Sequence, residues 1–288
     1  MRLCRFGDSR LGVVQDDRVV DVTAVIDRLP IFRYPLPKFD PLIAELGSLR
    51  HHIERLADGE RGIPITEVKL ACPVANPGKI VAAPVNYSQH LKEAREDPEI
   101  HHSNQIAEIE RVGLFLKATS SVIGSSEPII IRHEDRRTDH EIELAVVIGK
   151  KADRVSPHRA LECVAGYCIG LDITVRGPEE RSLRKSVDTY TVLGPWLVTA
   201  DELADPSQLS LKLSVNGELR QNANTRDLTI DVPGLIAFAT RFYSLMPGDV
   251  LLTGTPEGVG RIKPGDVIQS EISGIGKTEL GASSGVVT

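Results

Sequence analysis

The sequence contains little cysteine and no long apolar run. Its 288 residues include four cysteines without a C-x-x-C pair, and this scatter argues against a disulfide framework. We therefore expect buried free thiols at Cys4, Cys72, Cys163 and Cys168. No apolar stretch approaches the roughly 20 residues that a membrane-spanning helix needs, so no membrane span is expected.

Basic clusters and an apolar leader are also missing. The formal net charge is −6 and no block of Lys or Arg stands out, so neither nucleic acid nor an anionic membrane is an expected partner. Residues 1–8 carry charges where a signal peptide needs an apolar core, which predicts a cytoplasmic protein. A small anionic substrate is compatible with this charge, because positive side chains can gather locally.

What is present is typical of an ordinary globular chain. With 41% hydrophobic residues it can form a large core, in one domain or in a large domain with a small one. Residues 2–23 alternate apolar runs with turn signals, typical of antiparallel strands, and residues 42–56 have helical apolar spacing. A linker-like piece at 58–64 follows. We predict a small N-terminal α/β domain at 1–72 and a main domain at 73–288.

The most apolar predicted strand begins with two acidic residues. Residues 138–150 are rich in aliphatic side chains from Ile142 onward, which predicts a strand. Because side chains alternate along a strand, Glu141 and Glu143 share the face opposite Ile142. Paired carboxylates repel each other unless a cation or water reaches them, and hard oxygen ligands suit Mg²⁺, Mn²⁺ or Ca²⁺. A solvated strand face is the alternative.

A third carboxylate lies on another predicted strand, at residues 167–174. Alternation places Asp172 on one face with Cys168 and Gly170. These small neighbours leave room beside the carboxylate.

A histidine and a glutamate lie one helical turn apart in residues 86–96, whose composition favours a helix. His90 and Glu93 are at i and i+3, so they are neighbours on one face. A carboxylate beside an imidazole orients it and raises its basicity, which suits a general base. An incidental surface pair is the alternative. The polar segment that follows, 94–112, is interpreted as an excursion that acts as a mobile lid.

A glycine-rich segment occupies residues 254–260. It lacks the Gly-Lys-Ser/Thr ending of a P-loop and is followed by no predicted helix, so neither a P-loop nor a Rossmann fingerprint is present. We expect this segment to let backbone amides and the Thr255 hydroxyl approach a ligand.

Several motifs in one order resemble the fumarylacetoacetate hydrolase superfamily over residues 73–288. They are Asn86-Tyr87 with His90-x-x-Glu93, Phe115-Leu-Lys117, Asp139-His-Glu-Ile-Glu-Leu-Ala-Val-Val-Ile-Gly-Lys150, Gly166-Tyr-x-Ile-Gly-Leu-Asp-Ile-Thr174, Arg184-Lys-Ser-x-Asp-Thr189, Gly194-Pro-Trp196, Val215-Asn-Gly-Glu-Leu-Arg-Gln221 and Gly248-Asp-Val-Leu-Leu-Thr-Gly-Thr-Pro-x-Gly-Val-Gly260. Each motif alone is weak, and the whole set in order is specific.

The resemblance implies an α+β fold whose catalytic domain is a mixed β-roll or β-sandwich, and it implies a homodimer. It implies Mg²⁺ or Mn²⁺ as cofactor, with Ca²⁺ acceptable. The implied metal ligands are Glu141, Glu143 and Asp172. The implied catalytic residues are His90 and Glu93, which activate water, and Lys185, which stabilises negative charge. The residues implied to line the substrate site are Arg176, Gln221 and Thr255.

The chain departs from the family pattern after the third carboxylate. Members often have Arg-Asp-x-Gln there, and this chain has Arg176-Gly-Pro-Glu179. A carboxylate at Glu179 repels an acidic substrate unless Arg181 or Arg184 pairs with it. Pro84-Val85 also stands where many members have glycine before Asn-Tyr.

These features together predict a metal-dependent hydrolase of a small anionic keto acid. The substrate would be a 2,4-dioxo acid such as fumarylpyruvate or maleylpyruvate, cleaved to pyruvate and a carboxylic acid in the breakdown of aromatic compounds. A decarboxylase, isomerase or hydratase of related keto-enol acids is the alternative on the same fold. A non-catalytic, metal-dependent binding protein is the alternative from another class.

Overall fold

The computed structural model describes residues 1–102 and 106–285. The strands in these ranges are β1 (Arg2–Phe6), β2 (Arg10–Gln15), β3 (Arg18–Asp21), β4 (Ile63–Pro64), β5 (Leu70–Ala71), β6 (Ile80–Ala82), β7 (Phe115–Lys117), β8 (Val122–Ile123), β9 (Ile129–Ile131), β10 (Thr138–His140), β11 (Ile142–Ile148), β12 (Val164–Asp172), β13 (Thr174–Val175), β14 (Thr191–Thr199), β15 (Ser210–Val215), β16 (Glu218–Asn224), β17 (Val250–Leu252), β18 (Gly260–Arg261), β19 (Val267–Ile272) and β20 (Gly276–Ser284). The α-helices are α1 (Pro41–Ala44), α2 (Leu46–Ala57), α3 (Ser88–Glu96), α4 (Pro98–His101), α5 (Ile109–Val112), α6 (Pro157–Ala160), α7 (Arg181–Lys185) and α8 (Val232–Ala239). Short 3₁₀ turns occupy Thr23–Arg28, Ile65–Glu67, Thr119–Ser121, Leu161–Cys163, Pro206–Gln208 and Thr225–Asp227.

The strands form three sheets, and two of them contain both parallel and antiparallel pairs. The largest has the order β4-β3-β2-β1-β14-β12-β11-β17-β6-β7, with β5 beside β1 and β8 beside β14. The others are β16-β15-β19-β20-β9 and β13-β10-β18. Parallel pairs occur at β6 with β17, β8 with β14 and β9 with β20. The predicted mixture of sheets and helices is confirmed.

Strand β11 lies inside the largest sheet, between β12 and β17, and all seven of its residues are buried. Its two faces enter two different cores. On one face Leu144 lies in the same buried cluster as Leu213 of the five-stranded sheet. On the other face Val147 lies in the same buried cluster as Ile53 of helix α2. The predicted alternation therefore holds, but both faces are covered, as expected for a strand with a continuous apolar run.

The N-terminal strands extend the largest sheet. The predicted antiparallel strands β1 to β3 and the amphipathic helix α2 are present. Strand β1 pairs with β14, Leu3 lying opposite Leu197, so hydrogen bonding crosses the boundary near residue 72. A separate domain at 1–72 stays a prediction.

Two local predictions differ from the structure. In the sequence, Asp231 as an N-cap followed by Pro233 predicts a helix from Pro233 to Ser244. Helix α8 instead ends at Ala239, and the carbonyl of Thr240 accepts the Arg154 N–H rather than continuing the helix. All four cysteines are free, and three are buried as predicted, but Cys163 is partly exposed.

The predicted lid, 94–112, includes the end of α3 and the short helices α4 and α5. Residues 103–105 lie outside the described residues, and the mobility of the predicted lid stays a prediction. Among the described residues, every helix is too short or too polar to cross a bilayer.

Glycine at position 166 lets β12 and β14 approach closely. A Cβ atom added there would lie 2.2 Å from the carbonyl oxygen of Val198, whereas at Gly47, exposed on α2, it would meet no atom within 4 Å. We expect Gly166→Ala to lower the free energy of unfolding by about 1–3 kcal/mol. The control Gly47→Ala should raise it by up to about 1 kcal/mol through helix propensity. Urea unfolding of both variants measures this, and equal stabilities would contradict the packing described.

Candidate active site

Three buried carboxylates converge where β10, β11 and β12 meet. Because β11 and β12 are antiparallel, Glu143 lies opposite Gly170, and the Asp172 N–H donates to the Glu141 carbonyl at 2.9 Å. One side-chain oxygen from each of Glu141, Glu143 and Asp172 lies within 4.8 Å of the others. The structure thus brings together the three residues that the strand patterns singled out.

Two lysines and an arginine contact this acidic group. Lys185 Nζ donates to Glu141 Oε2 at 2.7 Å and to Asp172 Oδ2 at 2.5 Å. Lys117 Nζ forms a very short contact with Asp172 Oδ1, and Arg176 Nη2 donates to Glu141 Oε1 at 2.8 Å. Helix α7 supplies Lys185 and strand β7 supplies Lys117, so separate elements provide the positive charge.

The positive charge is shared unequally among the carboxylates. Burial opposes ionisation of Glu141, but Lys185 and Arg176 outweigh it and hold its pKa below the ordinary value. Burial raises the pKa of Glu143 well above the ordinary value, and the charge of Asp172 adds to the rise. Glu143 has no ion pair within the described residues and accepts the Gly254 N–H at 2.5 Å. Ionised Glu143 therefore requires additional positive charge.

The three side chains fit a divalent cation. They offer hard carboxylate oxygens, which Mg²⁺, Mn²⁺ and Ca²⁺ prefer. They are also close enough together for one ion to contact all of them. A dication beside Glu143 would favour its ionised form, which burial otherwise disfavours.

The predicted histidine–glutamate pair forms on helix α3. His90 Nδ1 and Glu93 Oε2 are 2.9 Å apart, and His90 is buried. Glu93 Oε1 accepts the Gly258 N–H at 2.9 Å. Residues 254–260, here called the glycine loop, therefore hold the carboxylate that orients the imidazole.

The side chains of Gln221 and Arg176 form hydrogen bonds with other residues of the chain. Gln221 Nε2 donates to Thr255 Oγ1 at 2.8 Å and to the Pro256 carbonyl at 2.9 Å, while its Oε1 accepts the Ile142 N–H at 3.1 Å. Besides contacting Glu141, Arg176 donates from Nε to the buried Asp139 at 2.8 Å. Their direct contact with substrate stays a prediction.

Sequence reasoning did not assign roles to Lys117 and Asp139. Both are buried, and both join the charge network that surrounds the three carboxylates. The sequence carries a signal for Asp139, because it lies two residues before Glu141 and would share its face in a strand. It carries none for Lys117, because the burial of Phe115 and Lys117 on one side of β7 appears only in the structure.

The departure at Glu179 has a structural explanation. Its carboxylate pairs with Arg136, Nη2 to Oε2 at 2.7 Å, so the cation that offsets its charge is neither Arg181 nor Arg184. Arg184 Nε donates instead to the Glu179 backbone carbonyl at 2.8 Å. A Cβ atom at Gly177 would lie 1.8 Å from Arg136 Nη2, so glycine makes room for this ion pair.

Comparison with known proteins gives consistent relatives over the whole chain. The chain is 53% identical over 286 residues to a maleylpyruvate hydrolase from Aquipseudomonas alcaligenes, covering 99% of this chain and 100% of that protein. It is 35% identical over 309 residues to a mitochondrial oxaloacetate tautomerase from Xenopus laevis, covering 100% and 90%.

A solved structure and a family model agree with these relatives. The crystal structure of maleylpyruvate hydrolase from Sphingobium sp. SYK-6, in complex with manganese(II) and pyruvate, matches with a TM-score of 0.84 and 40% identity, covering 99% of this chain and 100% of that chain. The model of the fumarylacetoacetate (FAA) hydrolase C-terminal domain matches residues 79–281. This chain belongs to the fumarylacetoacetate hydrolase family.

Proposed function

We propose that this protein is a divalent-metal-dependent hydrolase of an acylpyruvate of the maleylpyruvate type, which it cleaves to pyruvate and a carboxylic acid. The observation that carries the proposal is that the glycine loop holds both halves of the site. Its Gly254 N–H binds Glu143 of the acidic group, and its Gly258 N–H binds Glu93 of the histidine–glutamate pair. A base and an acidic cation site are thereby kept side by side. The full-length likeness to a maleylpyruvate hydrolase supports this substrate class.

Glu141, Glu143 and Asp172 would hold Mg²⁺ or Mn²⁺, with Ca²⁺ acceptable. The crystal structure of the Sphingobium relative contains manganese(II), which supports this choice. When bound, such an ion supplies Lewis-acid stabilisation of negative charge on the oxygens of the keto acid.

His90 is the general base in this proposal. Glu93 accepts from Nδ1–H, so Nε2 is the nitrogen with a free lone pair that takes a proton from water. The water oxygen bonds to the distal carbonyl carbon, the carbon–carbon bond breaks, and its electron pair passes to the pyruvate fragment as an enolate. That fragment then takes up a proton to give pyruvate.

Lys185 contributes charge in this arrangement. An ammonium has three N–H donors, and those of Lys185 reach Glu141, Asp172 and, at 2.7 Å, Thr174. With its donors taken up, it lowers the free energy of the enolate through its electric field, and together with Arg176 it holds the pKa of Glu141 below the ordinary value.

In this proposal Thr255 donates a hydrogen bond to the substrate. Gln221 and Arg176 belong to the substrate site but act through the side chains that they contact. Since Thr255 Oγ1 accepts from Gln221 Nε2, its own proton is left for a substrate oxygen. Arg176 acts through Glu141, which it contacts.

Some expectations of the family resemblance remain proposals. We propose a homodimer located in the cytoplasm, a role in the breakdown of aromatic compounds, and catalysis by residues 73–288, whose packed sheets form the β-roll. Residues 1–72 would form the smaller N-terminal unit.

An oxaloacetate tautomerase is the second candidate, because such a protein is 35% identical over this whole chain. A non-catalytic binding protein is disfavoured, since it would not need a buried histidine held by a glutamate.

The products distinguish these functions. With Mn²⁺ and maleyl-, fumaryl- or acetylpyruvate, we expect loss of the diketo-enol ultraviolet absorbance together with one equivalent each of pyruvate and the second acid. A chelator should abolish the reaction. Interconversion of oxaloacetate tautomers without cleavage of any acylpyruvate would favour the tautomerase, and no turnover in either assay would favour a binding protein.

Glu143→Gln tests the acidic group with two opposite effects. Mn²⁺ affinity should fall at least about 10- to 100-fold by calorimetry, because a charged ligand is lost. Near neutral pH in chelator, thermal stability should rise, because the raised pKa of Glu143 means that its ionised form destabilises the native state. This gain in thermal stability over the wild type should shrink as the pH falls to the ordinary glutamate pKa, because Glu143 then becomes protonated in the unfolded chain as well. The control Glu162→Gln, at an exposed residue, should change neither quantity; unaltered affinity in Glu143→Gln would refute the ligand set.

His90→Ala tests the base. Turnover should fall by about 10²- to 10⁴-fold, the usual contribution of general-base catalysis, while Mn²⁺ affinity stays nearly the same. Glu93→Gln should lower turnover less, because an amide still reaches Nδ1 but does not stabilise the imidazolium. Steady-state kinetics and calorimetry measure both variants. Full activity of His90→Ala would rule out the assignment.

A further inference from the structure

Helix α7 carries a second cation towards the site. Arg181 and Lys185 are four residues apart, so they share one side of the helix. Both lie over the ring of Phe115: Arg181 Cζ is 5.5 Å and Lys185 Nζ is 5.3 Å from the ring centroid. Lys185 contacts Glu141 and Asp172, so Arg181 shares an aromatic ring with a cation of the proposed reaction centre, and it is near enough for the charges of Glu141 and Asp172 to act on it.

The polar groups around Arg181 are engaged elsewhere. Across residues 1–102 and 106–285, its guanidinium makes no hydrogen bond and no ion pair with a carboxylate. The adjacent Glu180 accepts the Ser182 N–H at 2.7 Å and the Ser182 hydroxyl. The next candidate, Glu179, is taken by Arg136.

A second arginine of α7, Arg184, also lacks a carboxylate partner among the described residues. Arg184 donates from Nε to the Glu179 backbone carbonyl, but no described carboxylate forms an ion pair with it. Burial lowers the pKa of Arg181, and burial with the charges of Arg176 and Arg181 lowers that of Arg184. Two neighbouring, partly buried guanidiniums without a carboxylate raise the free energy of the native state, and an anion bound between them would lower it.

The planar fork of a guanidinium matches a carboxylate through two parallel hydrogen bonds. In the reaction proposed above, the enolate forms on the pyruvyl end of the substrate, so this end would lie at Glu141, Glu143 and Asp172. An acyl chain that ends in a carboxylate would carry its second charge away from that end. Among the described residues, Arg181 has the Phe115 ring beside it but no hydrogen-bond or ion-pair partner, so its guanidinium can take this charge.

We propose that Arg181, flanked by Arg184, binds the distal carboxylate of a dicarboxylic acylpyruvate and thereby selects it over acylpyruvates with an uncharged acyl chain. This inference rests on the proposed function. It makes Arg181 a specificity-determining residue and leaves the bond-breaking chemistry to His90 and the acidic group.

The test compares two substrates in the metal-loaded, full-length protein. In Arg181→Gln, the ratio of kcat/KM for maleylpyruvate to kcat/KM for acetylpyruvate should fall about 10- to 100-fold, the scale of hydrogen bonds to a charged group. Most of the fall should appear in KM for maleylpyruvate. Arg181→Lys keeps the charge without the fork, so it should restore part of the ratio. The control Arg159→Gln removes an exposed arginine that pairs with Glu162, and it should leave the ratio unchanged.

The outcomes separate this inference from the proposed function. If the wild-type protein cleaves no acylpyruvate, the proposed function fails. If it cleaves maleylpyruvate but Arg181→Gln lowers kcat/KM equally for both substrates, or changes kcat/KM for neither, the inference is wrong. If the ratio of kcat/KM for the two substrates falls in Arg184→Gln but not in Arg181→Gln, the assignment to Arg181 is overturned. Should Arg181→Gln not fold, Arg181→Lys carries the test, and an unchanged ratio there overturns the inference.

Discussion

The balance of charge in one buried cluster is the constraint on which the site depends. Glu141 and Asp172 share Lys185, and Asp172 also contacts Lys117, so these two carboxylates are compensated by cations of the chain itself. Among the residues that the structure describes, Glu143 has a backbone N–H as its only hydrogen-bond partner. The fold thus keeps one carboxylate short of positive charge, and this deficit is the physical reason why a divalent cation fits there.

The backbone makes that cluster possible by bringing distant segments to one place. Pairing of β11 with β12 sets Glu143 opposite Gly170, and the glycine loop then reaches both Glu143 and Glu93. The acidic group and the histidine–glutamate pair are therefore joined through one short piece of chain. Because β1 pairs with β14, next to β12, the strands of residues 1–72 belong to the sheet that carries the carboxylates.

Alternation along a strand is local, so the sequence alone could predict that Glu141 and Glu143 face one way and that Asp172 lies on a second apolar strand. It could not predict which cations would meet them, because those partners come from elements brought near only by tertiary packing. The pairing of Arg136 with Glu179 joins residues 43 positions apart. The β-sheet order likewise depends on long-range pairings. Residue spacing indicated a cation at the carboxylates and a base at His90 but left the alternatives open, and the family resemblance implied the complete set of roles.

The contact between Arg136 and Glu179 couples three positions of the chain. A family-like glutamine at 179 would remove the carboxylate that pairs with the Arg136 guanidinium, leaving its hydrogen bonds to the Arg176 carbonyl. An aspartate at 177 would collide with that guanidinium, since even a Cβ atom there lies 1.8 Å from Nη2. The side chains at 136, 177 and 179 therefore suit one another as a combination. A chimaera that transplants only one of them from a relative inherits a steric or electrostatic conflict at the edge of the site.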